Sequence, residues 1–91
     1  MSALVRIPTI LRTYTSGAAE VAAEGATLQE VLDSLDAQYA GIAARVLDDN
    51  GALRRFVNIY VNDDDVRFLD GLATPIADGA NISIIPAVAG G

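Results

Sequence analysis

The sequence predicts an α+β domain in which one main helix covers one face of a mixed sheet of four to five strands. Runs of alternating apolar and polar residues, typical of half-buried strands, lie on both sides of a single amphipathic helical segment. The chain has 91 residues, of which 52% are hydrophobic, and this is enough for one core but not for a second domain. We expect the domain to span residues 1–86, followed by an extended tail at residues 87–91.

The first two strands are predicted to form a hairpin. An alternating run, with Val5 and Ile7 on one side, indicates a half-buried first strand, which Pro8 should end or leave at an edge of the sheet. A turn at Ser16-Gly17 leads into a short strand near Glu20–Ala22, and Glu24-Gly25 marks the next turn.

The helix that follows gives the clearest local signal. Thr27 and Glu30 form a capping-box pattern, because the hydroxyl and the carboxylate can each accept a backbone N–H at the start of a helix. Apolar side chains then recur at helical spacing on one face: Leu28, Val31, Leu32, Leu35 and Tyr39. Gly41 should end this helix, and residues 42–47 are expected to add one short helical turn.

The second half of the chain supplies the remaining strands. Residues 56–62 alternate cleanly and predict a central strand. Its inner side carries three β-branched residues: Val57, Ile59 and Val61. The acidic run at residues 63–65 is expected to form a turn, and Val66–Leu69 a short strand. Asp78-Gly79 then turns the chain into the last strand at residues 82–86.

The composition narrows the possible functions. The chain contains no cysteine, histidine or lysine, so the usual side chains for nucleophilic or base catalysis near neutral pH are missing. An enzyme with this composition would have to rely on carboxylates, serine, threonine and tyrosine, and a metal site with thiolate ligands is excluded. A net charge of −6 argues against nucleic acid as a partner. The Arg54-Arg55 pair lies at a predicted junction between loop and strand, and we interpret it as a contribution to solubility.

The apolar runs predict where the protein acts. The longest of them are too short to span a bilayer, so we expect no membrane partner. The first eleven residues have no basic stretch ahead of their apolar residues and no long apolar core, which indicates no signal peptide. We expect a cytoplasmic protein.

Three stretches carry a resemblance to a known family. They are TLQEVLDSLDAQY at residues 27–39, NIYVNDDDVRFLDGLATPIADG at 58–79, and ISIIPAVAGG at 82–91. In its order of elements the chain resembles the ubiquitin-like β-grasp fold. Because the last strand is followed by Gly-Gly, the chain also resembles sulfur carriers of the MoaD/ThiS family, and most of all the branch that serves cysteine biosynthesis.

The resemblance implies chemistry at Gly91, the last residue. An E1-like adenylating and sulfurating enzyme would use ATP to convert the Gly91 carboxylate into an acyl-adenylate. Sulfide or a persulfide would then displace AMP and leave a thiocarboxylate. Glycine suits this position because it has no side chain to obstruct a narrow channel. The partner would recognise the four residues before it: Ala87, Val88, Ala89 and Gly90.

The same resemblance implies which enzymes receive the sulfur. In the cysteine branch these are a cysteine synthase that depends on pyridoxal phosphate (PLP) and a zinc peptidase that releases the product. The resemblance implies that the carrier itself is a cosubstrate and not an enzyme, with no catalytic residue, no metal site and no bound cofactor. Two other functions stay open, because the chemistry at the terminus begins in the same way. One is the small subunit of molybdopterin synthase, which donates sulfur to a pterin, and the other is a ubiquitin-like protein modifier.

The outward side of the sheet is the predicted docking surface. Since the inner positions of the central strand alternate with outer ones, Phe56 and Tyr60 should point outward. The same alternation in the last strand makes Ile85 outward, close to the start of the tail. An apolar patch of this kind often marks a binding surface. The alternative is that residues 42–54 fold over the patch and cover it.

Overall fold

The computed structural model describes residues 2–86, and these form one sheet with helices on one side. The strands are β1 (Ser2–Arg6), β2 (Glu20–Glu24), β3 (Val57–Val61), β4 (Asp64–Asp65) and β5 (Asn81–Pro86). They lie in the order β2-β1-β5-β3-β4. The main helix, α1 (Leu28–Gln38), is followed by a single-turn helix, α2 (Ala43–Val46). This arrangement confirms the predicted β-grasp fold.

The sheet is mixed because β1 and β5 run parallel while the other pairs are antiparallel. β1 and β2 form the predicted hairpin, and β2 is two residues longer than expected. The connection between them contains a 3₁₀ helix at Thr9–Leu11 and a turn at Ser16-Gly17, where φ is 56° and 89°. Val5 lies opposite Val21 on one side and Ile82 on the other, which places the centre of the sheet over the core.

The core lies between α1 and the inner face of the sheet. The predicted inner positions of β3 are all buried, and so are the first four apolar positions of α1. Tyr39 caps the end of α1 and is only half-buried. Burying one Leu or Ile side chain completely contributes about 1.5–3 kcal/mol. The largest fully buried side chains are Ile7, Leu28, Leu32, Leu35, Ile42, Ile59, Ile76 and Ile82.

The start of α1 shows the predicted capping box. The Thr27 hydroxyl accepts the N–H of Glu30 at 3.3 Å, and the Glu30 carboxylate accepts the N–H of Ala26 at 3.2 Å. The carboxylate thus reaches one residue beyond the usual partner, but it still satisfies a backbone donor ahead of the helix. After the helix, Gly41 has a φ of 96°, and its N–H donates to the Asp36 carboxylate at 3.0 Å.

Gly25 lies so close to the first turn of α1 that a side chain there would clash with the backbone. A Cβ added to Gly25 would lie 2.6 Å from the backbone nitrogen of Val31 and 2.8 Å from the carbonyl carbon of Glu30. We expect Gly25→Ala to lower the free energy of unfolding by about 1–3 kcal/mol, measured by urea denaturation. The exposed neighbour provides a control, since Ala26→Ser should change it by less than about 0.5 kcal/mol. An unchanged midpoint for Gly25→Ala would contradict this close approach.

The predicted strand at Val66–Leu69 is wrong. The pairing with β3 is confined to β4, at residues 64–65, and residues 66–68 form a 3₁₀ helix. The physical reason is local: the Asp65 carboxylate accepts the N–H of Arg67 at 2.9 Å and so starts a helical turn. Val66 is fully buried, which turns the chain towards the core rather than along the edge of the sheet.

The turn between β3 and β4 consists of Asn62 and Asp63 rather than the acidic run that was expected. Their φ values are 50° and 76°, both positive, and Val61 pairs directly with Asp64. A two-residue hairpin loop with two positive φ values is a type I′ turn, which favours asparagine followed by glycine. The Asn62 carboxamide also accepts the N–H of Asn81 at 3.0 Å and ties the turn to β5.

The turn gives a stability prediction. Asp63→Gly should raise the free energy of unfolding by about 0.5–1 kcal/mol, because glycine adopts a positive φ without strain. Asp63→Asn controls for the lost charge and should give a smaller gain. Asp64→Gly, in the adjacent strand position, should be destabilising. Thermal unfolding of the three variants measures the effect. An equal gain in stability from Asp63→Asn would show that the lost charge, and not the relief of backbone strain, is the cause.

Candidate functional site

Of the three residues predicted for the docking surface, Tyr60 and Ile85 lie on the outward face of β3 and β5, and Phe56 lies in the turn immediately before β3. Phe56 is 58% exposed and Ile85 is 48% exposed, whereas Tyr60 is half-buried. In the register of the sheet, Ile85 lies opposite Asn58, the outward residue between the two aromatics. Residues 42–54 therefore leave Phe56 and Ile85 open to solvent.

Arg67 crosses this face and was not found from the sequence. Its guanidinium group donates to the side-chain oxygen of Asn58 and to the carbonyls of Arg54 at 2.8 Å and Arg55 at 3.3 Å. These bonds join β3 and the segment ahead of Phe56 to the 3₁₀ helix after β4. The surface is consequently mixed: apolar side chains at its edges surround a polar centre. No local pattern pointed to Arg67, because its partners lie 9 to 13 residues away.

The last strand carries the chain to the edge of this surface. Pro86 lies opposite Val57, at the start of β3, and is the last described residue. The predicted tail positions Ala87, Val88, Ala89, Gly90 and Gly91 lie outside the described residues. The outward side chain of Ile85 is thus next to the point from which these five residues continue.

The described residues offer no metal centre. Within residues 2–86, no three carboxylate side chains come together in a way that could hold an ion. Every buried side-chain nitrogen or oxygen in the same range has a hydrogen-bond partner. None of the helices in this part of the chain is long and apolar enough to cross a membrane.

Comparison with known proteins assigns this arrangement to a family. The model of the ThiS family matches residues 5–91, which is almost the whole chain. This protein belongs to the ThiS family. The predicted MoaD/ThiS resemblance is therefore confirmed.

Individual members of the ThiS family show how close the likeness is. Sulfur carrier protein CysO from Mycobacterium tuberculosis is 57% identical over 93 residues, with 100% of both chains covered. Its crystal structure has a TM-score of 0.91 and covers 94% of this chain and 99% of that one. CysO from Amycolatopsis orientalis, crystallised in a BexX/CysO complex, has a TM-score of 0.92 at 50% identity, covering 98% and 99%.

A relative with a different name matches over a shorter range. Small archaeal modifier protein 3 from Haloferax volcanii is 44% identical over 68 residues, covering 75% of this chain and 73% of that protein. Relatives with carrier names and with modifier names thus both resemble this chain in sequence. CysO does so at the higher identity and over the full length of both chains.

Proposed function

We propose that this ThiS-family protein is a sulfur carrier for cysteine biosynthesis, with a thiocarboxylate on Gly91 as the sulfur donor. The observation that carries the proposal is the likeness to sulfur carrier protein CysO over the full length of both chains. The protein is then a cosubstrate of partner enzymes, and none of its own side chains acts in catalysis. We place it in the cytoplasm with those enzymes.

The proposed activation forms and breaks a defined set of bonds. An oxygen of the Gly91 carboxylate attacks the α-phosphate of ATP, pyrophosphate leaves, and an acyl-adenylate forms. Hydrosulfide then attacks the acyl carbon, the bond to the adenylate oxygen breaks, and AMP leaves. Loss of the remaining proton gives the thiocarboxylate. A persulfide donor would displace AMP to form an acyl disulfide, and a thiol would then cleave the S–S bond, which releases the thiocarboxylate and leaves the donor and the thiol joined as a disulfide.

The tail is proposed to bring this carboxylate into the partner's active site. An extended chain from Ile85 to Gly91 reaches about 20 Å. Small residues at Ala87, Ala89 and Gly90 would fit a narrow channel. The partner supplies ATP and its binding site, since the carrier binds no cofactor in this scheme.

The outward face around Phe56 and Ile85 is proposed to dock on the E1-like activating enzyme. Both side chains are exposed beside the start of the tail, so a partner that takes the tail meets them first. Tyr60 extends the same face and is half-buried. The A. orientalis relative was crystallised with BexX, which supports a carrier that acts by docking on other proteins.

The proposed acceptor is a cysteine synthase that uses PLP. The thiocarboxylate sulfur adds to the β-carbon of an activated serine such as O-phosphoserine, whose phosphate leaves. The new amino acid's nitrogen then attacks the acyl carbon, the C–S bond breaks, and cysteine remains amide-linked to Gly91. A zinc peptidase adds water across that amide, which releases cysteine and restores the carboxylate.

A protein modifier is the second candidate, because small archaeal modifier protein 3 is 44% identical over 68 residues. In that case the activated Gly91 would join lysine side chains without sulfur. The small subunit of molybdopterin synthase has less support, because the relatives described above carry the names of carriers and modifiers.

Intact mass spectrometry of the protein from its own host tests the proposal. We expect a fraction in which sulfur replaces one oxygen, and a second fraction that carries an added cysteine. Incubation of the thiocarboxylate form with the PLP enzyme and O-phosphoserine should produce the same cysteine adduct. Conjugates to lysines without a sulfur-containing form would favour the modifier. Turnover of a pterin precursor with no cysteine adduct would favour molybdopterin synthase.

A further inference from the structure

Four of the six arginines surround the point where the tail begins. Arg45 and Arg54 line a hollow on one side of Pro86. Arg6 and Arg12 line a second hollow, which also contains Pro86. Neither hollow is lined by an Asp or Glu, although the chain has 12 acidic and 6 basic residues. We call Arg6, Arg12, Arg45 and Arg54 the basic collar.

In the first hollow the guanidinium groups are positioned by neutral acceptors. Nε of Arg45 donates to the hydroxyl of Tyr14 at 2.7 Å. Nε and Nη2 of Arg54 donate to the carbonyl of Ala44 at 3.1 and 2.9 Å. These bonds orient the two side chains, neither of which forms an ion pair within residues 2–86, and they leave three or more N–H donors on each group available.

The second hollow has the same character. Nε of Arg12 donates to the carbonyl of Ile7 at 3.1 Å. Arg6 forms the one ion pair found within residues 2–86, with Glu20 at 3.4 Å. Both side chains of that pair are well exposed, so water screens it and an incoming carboxylate can compete for the guanidinium.

The opposite end of the sheet is acidic. Asp63, Asp64 and Asp65 lie at the far end of β3, about 13 Å from the residue opposite Pro86. Asp78 lies at the same end, where its carboxylate accepts the N–H of Ser2 at 2.9 Å. Acidic residues are not confined to that end, because Arg6 also lines a hollow with Glu20 and Asp63, and Arg54 lines one with Asp48 and Asp49. The two hollows that contain Pro86 are nevertheless lined by arginines alone among the charged residues.

We propose that the basic collar binds an acidic protein surface that surrounds the entrance for the tail on the partner enzyme. Guanidinium groups pair with carboxylates through two parallel hydrogen bonds, which fixes orientation as well as contact. An acidic partner is repelled by most of a molecule with a net charge of −6 and attracted where the four collar arginines lie together. Such a partner would therefore meet the carrier with its tail pointing inward.

The first test measures how fast the carrier associates with its adenylating enzyme, and it rests on the proposed function. Arg6→Gln and Arg45→Gln, one from each hollow, should each lower the association rate constant about two- to threefold at low salt, with a weaker dependence on salt. Arg55→Gln is the matched control, because it removes the same charge from an exposed arginine that lines neither hollow. An equal decrease in the association rate constant for Arg55→Gln would overturn the proposal, because it would show that net charge and not the collar sets the rate.

The second test is independent of any enzyme. Hexaglutamate peptide added to the full-length protein should shift backbone amide NMR signals around both hollows, and the double variant R6Q/R45Q should lose these shifts. Shifts centred elsewhere, or no shifts, would overturn the proposal. Shifts that appear only after deletion of residues 87–91 would show that the protein's own tail fills the collar, and would overturn it as well. If the peptide binds but the adenylating enzyme does not, the proposed function fails, whereas the collar is retained as a binding surface for carboxylates.

Discussion

Deletion of Gly91 should abolish ATP-dependent activation and leave the fold intact. The attacking carboxylate would then belong to Gly90, about 3.5 Å short of the α-phosphate, and misplacement by even 1 Å can cost about 100-fold in rate. One residue added after Gly91 should have the same effect, because the carboxylate overshoots. Pyrophosphate exchange with the cognate adenylating enzyme measures both variants.

A matched control keeps the length of the tail. Val88→Ala changes a side chain without moving the terminal carboxylate, and we expect exchange within about tenfold of the wild type. All three proteins should unfold at the same temperature, since the core lies within residues 2–86. Normal exchange by the shortened protein would contradict the assigned role of Gly91.

Ile85→Asp should weaken binding to the activating enzyme by about 30- to 100-fold while the domain stays folded. The isoleucine is 48% exposed, so the free protein tolerates a carboxylate that the complex would have to bury without a partner. Titration calorimetry gives the affinity, and circular dichroism on heating gives the stability. Phe56→Asp should behave in the same way. A substitution of the half-buried Tyr60 would lower both the affinity and the stability.

The preceding residue is the control for that experiment. Ile84 lies opposite Ile59 in the core and is 2% exposed, so Ile84→Asp should unfold the domain, because an unpaired buried charge costs several kcal/mol. Loss of the cooperative transition in Ile85→Asp would place that side chain in the core. Normal affinity in a folded Ile85→Asp would remove this face from the docking surface.

The sequence predicted the parts of the fold whose physics is local or periodic. Ile85 was assigned to the outward face because only one face of the sheet is buried, and its exposure confirms the assignment. The capping box at Thr27 was found because both partners lie within one helical turn. The docking role of the outward face and the role of Gly91 stay predictions.

The sequence did not predict features in which a side-chain hydrogen bond replaces strand pairing, or features that join residues far apart in the sequence. Val66–Leu69 has the composition of a strand, but the Asp65 carboxylate accepts the N–H of Arg67 and a 3₁₀ turn results. Arg67 holds three groups at Asn58, Arg54 and Arg55, and only the folded chain brings them together. The basic collar likewise comes from four separate segments that meet at Pro86.

The place of β5 at the centre of the sheet has a consequence for how the protein withstands repeated use. Two strands, β1 and β3, hold β5 from both sides, so β5 leaves the sheet only when the neighbours on both sides separate. Hydrogen exchange at Ile82 and Ile84 should therefore require global unfolding, whereas β2 and β4, at the two edges, can open separately. A carrier whose tail enters and leaves successive active sites would thus have that tail attached to the strand that unfolds last.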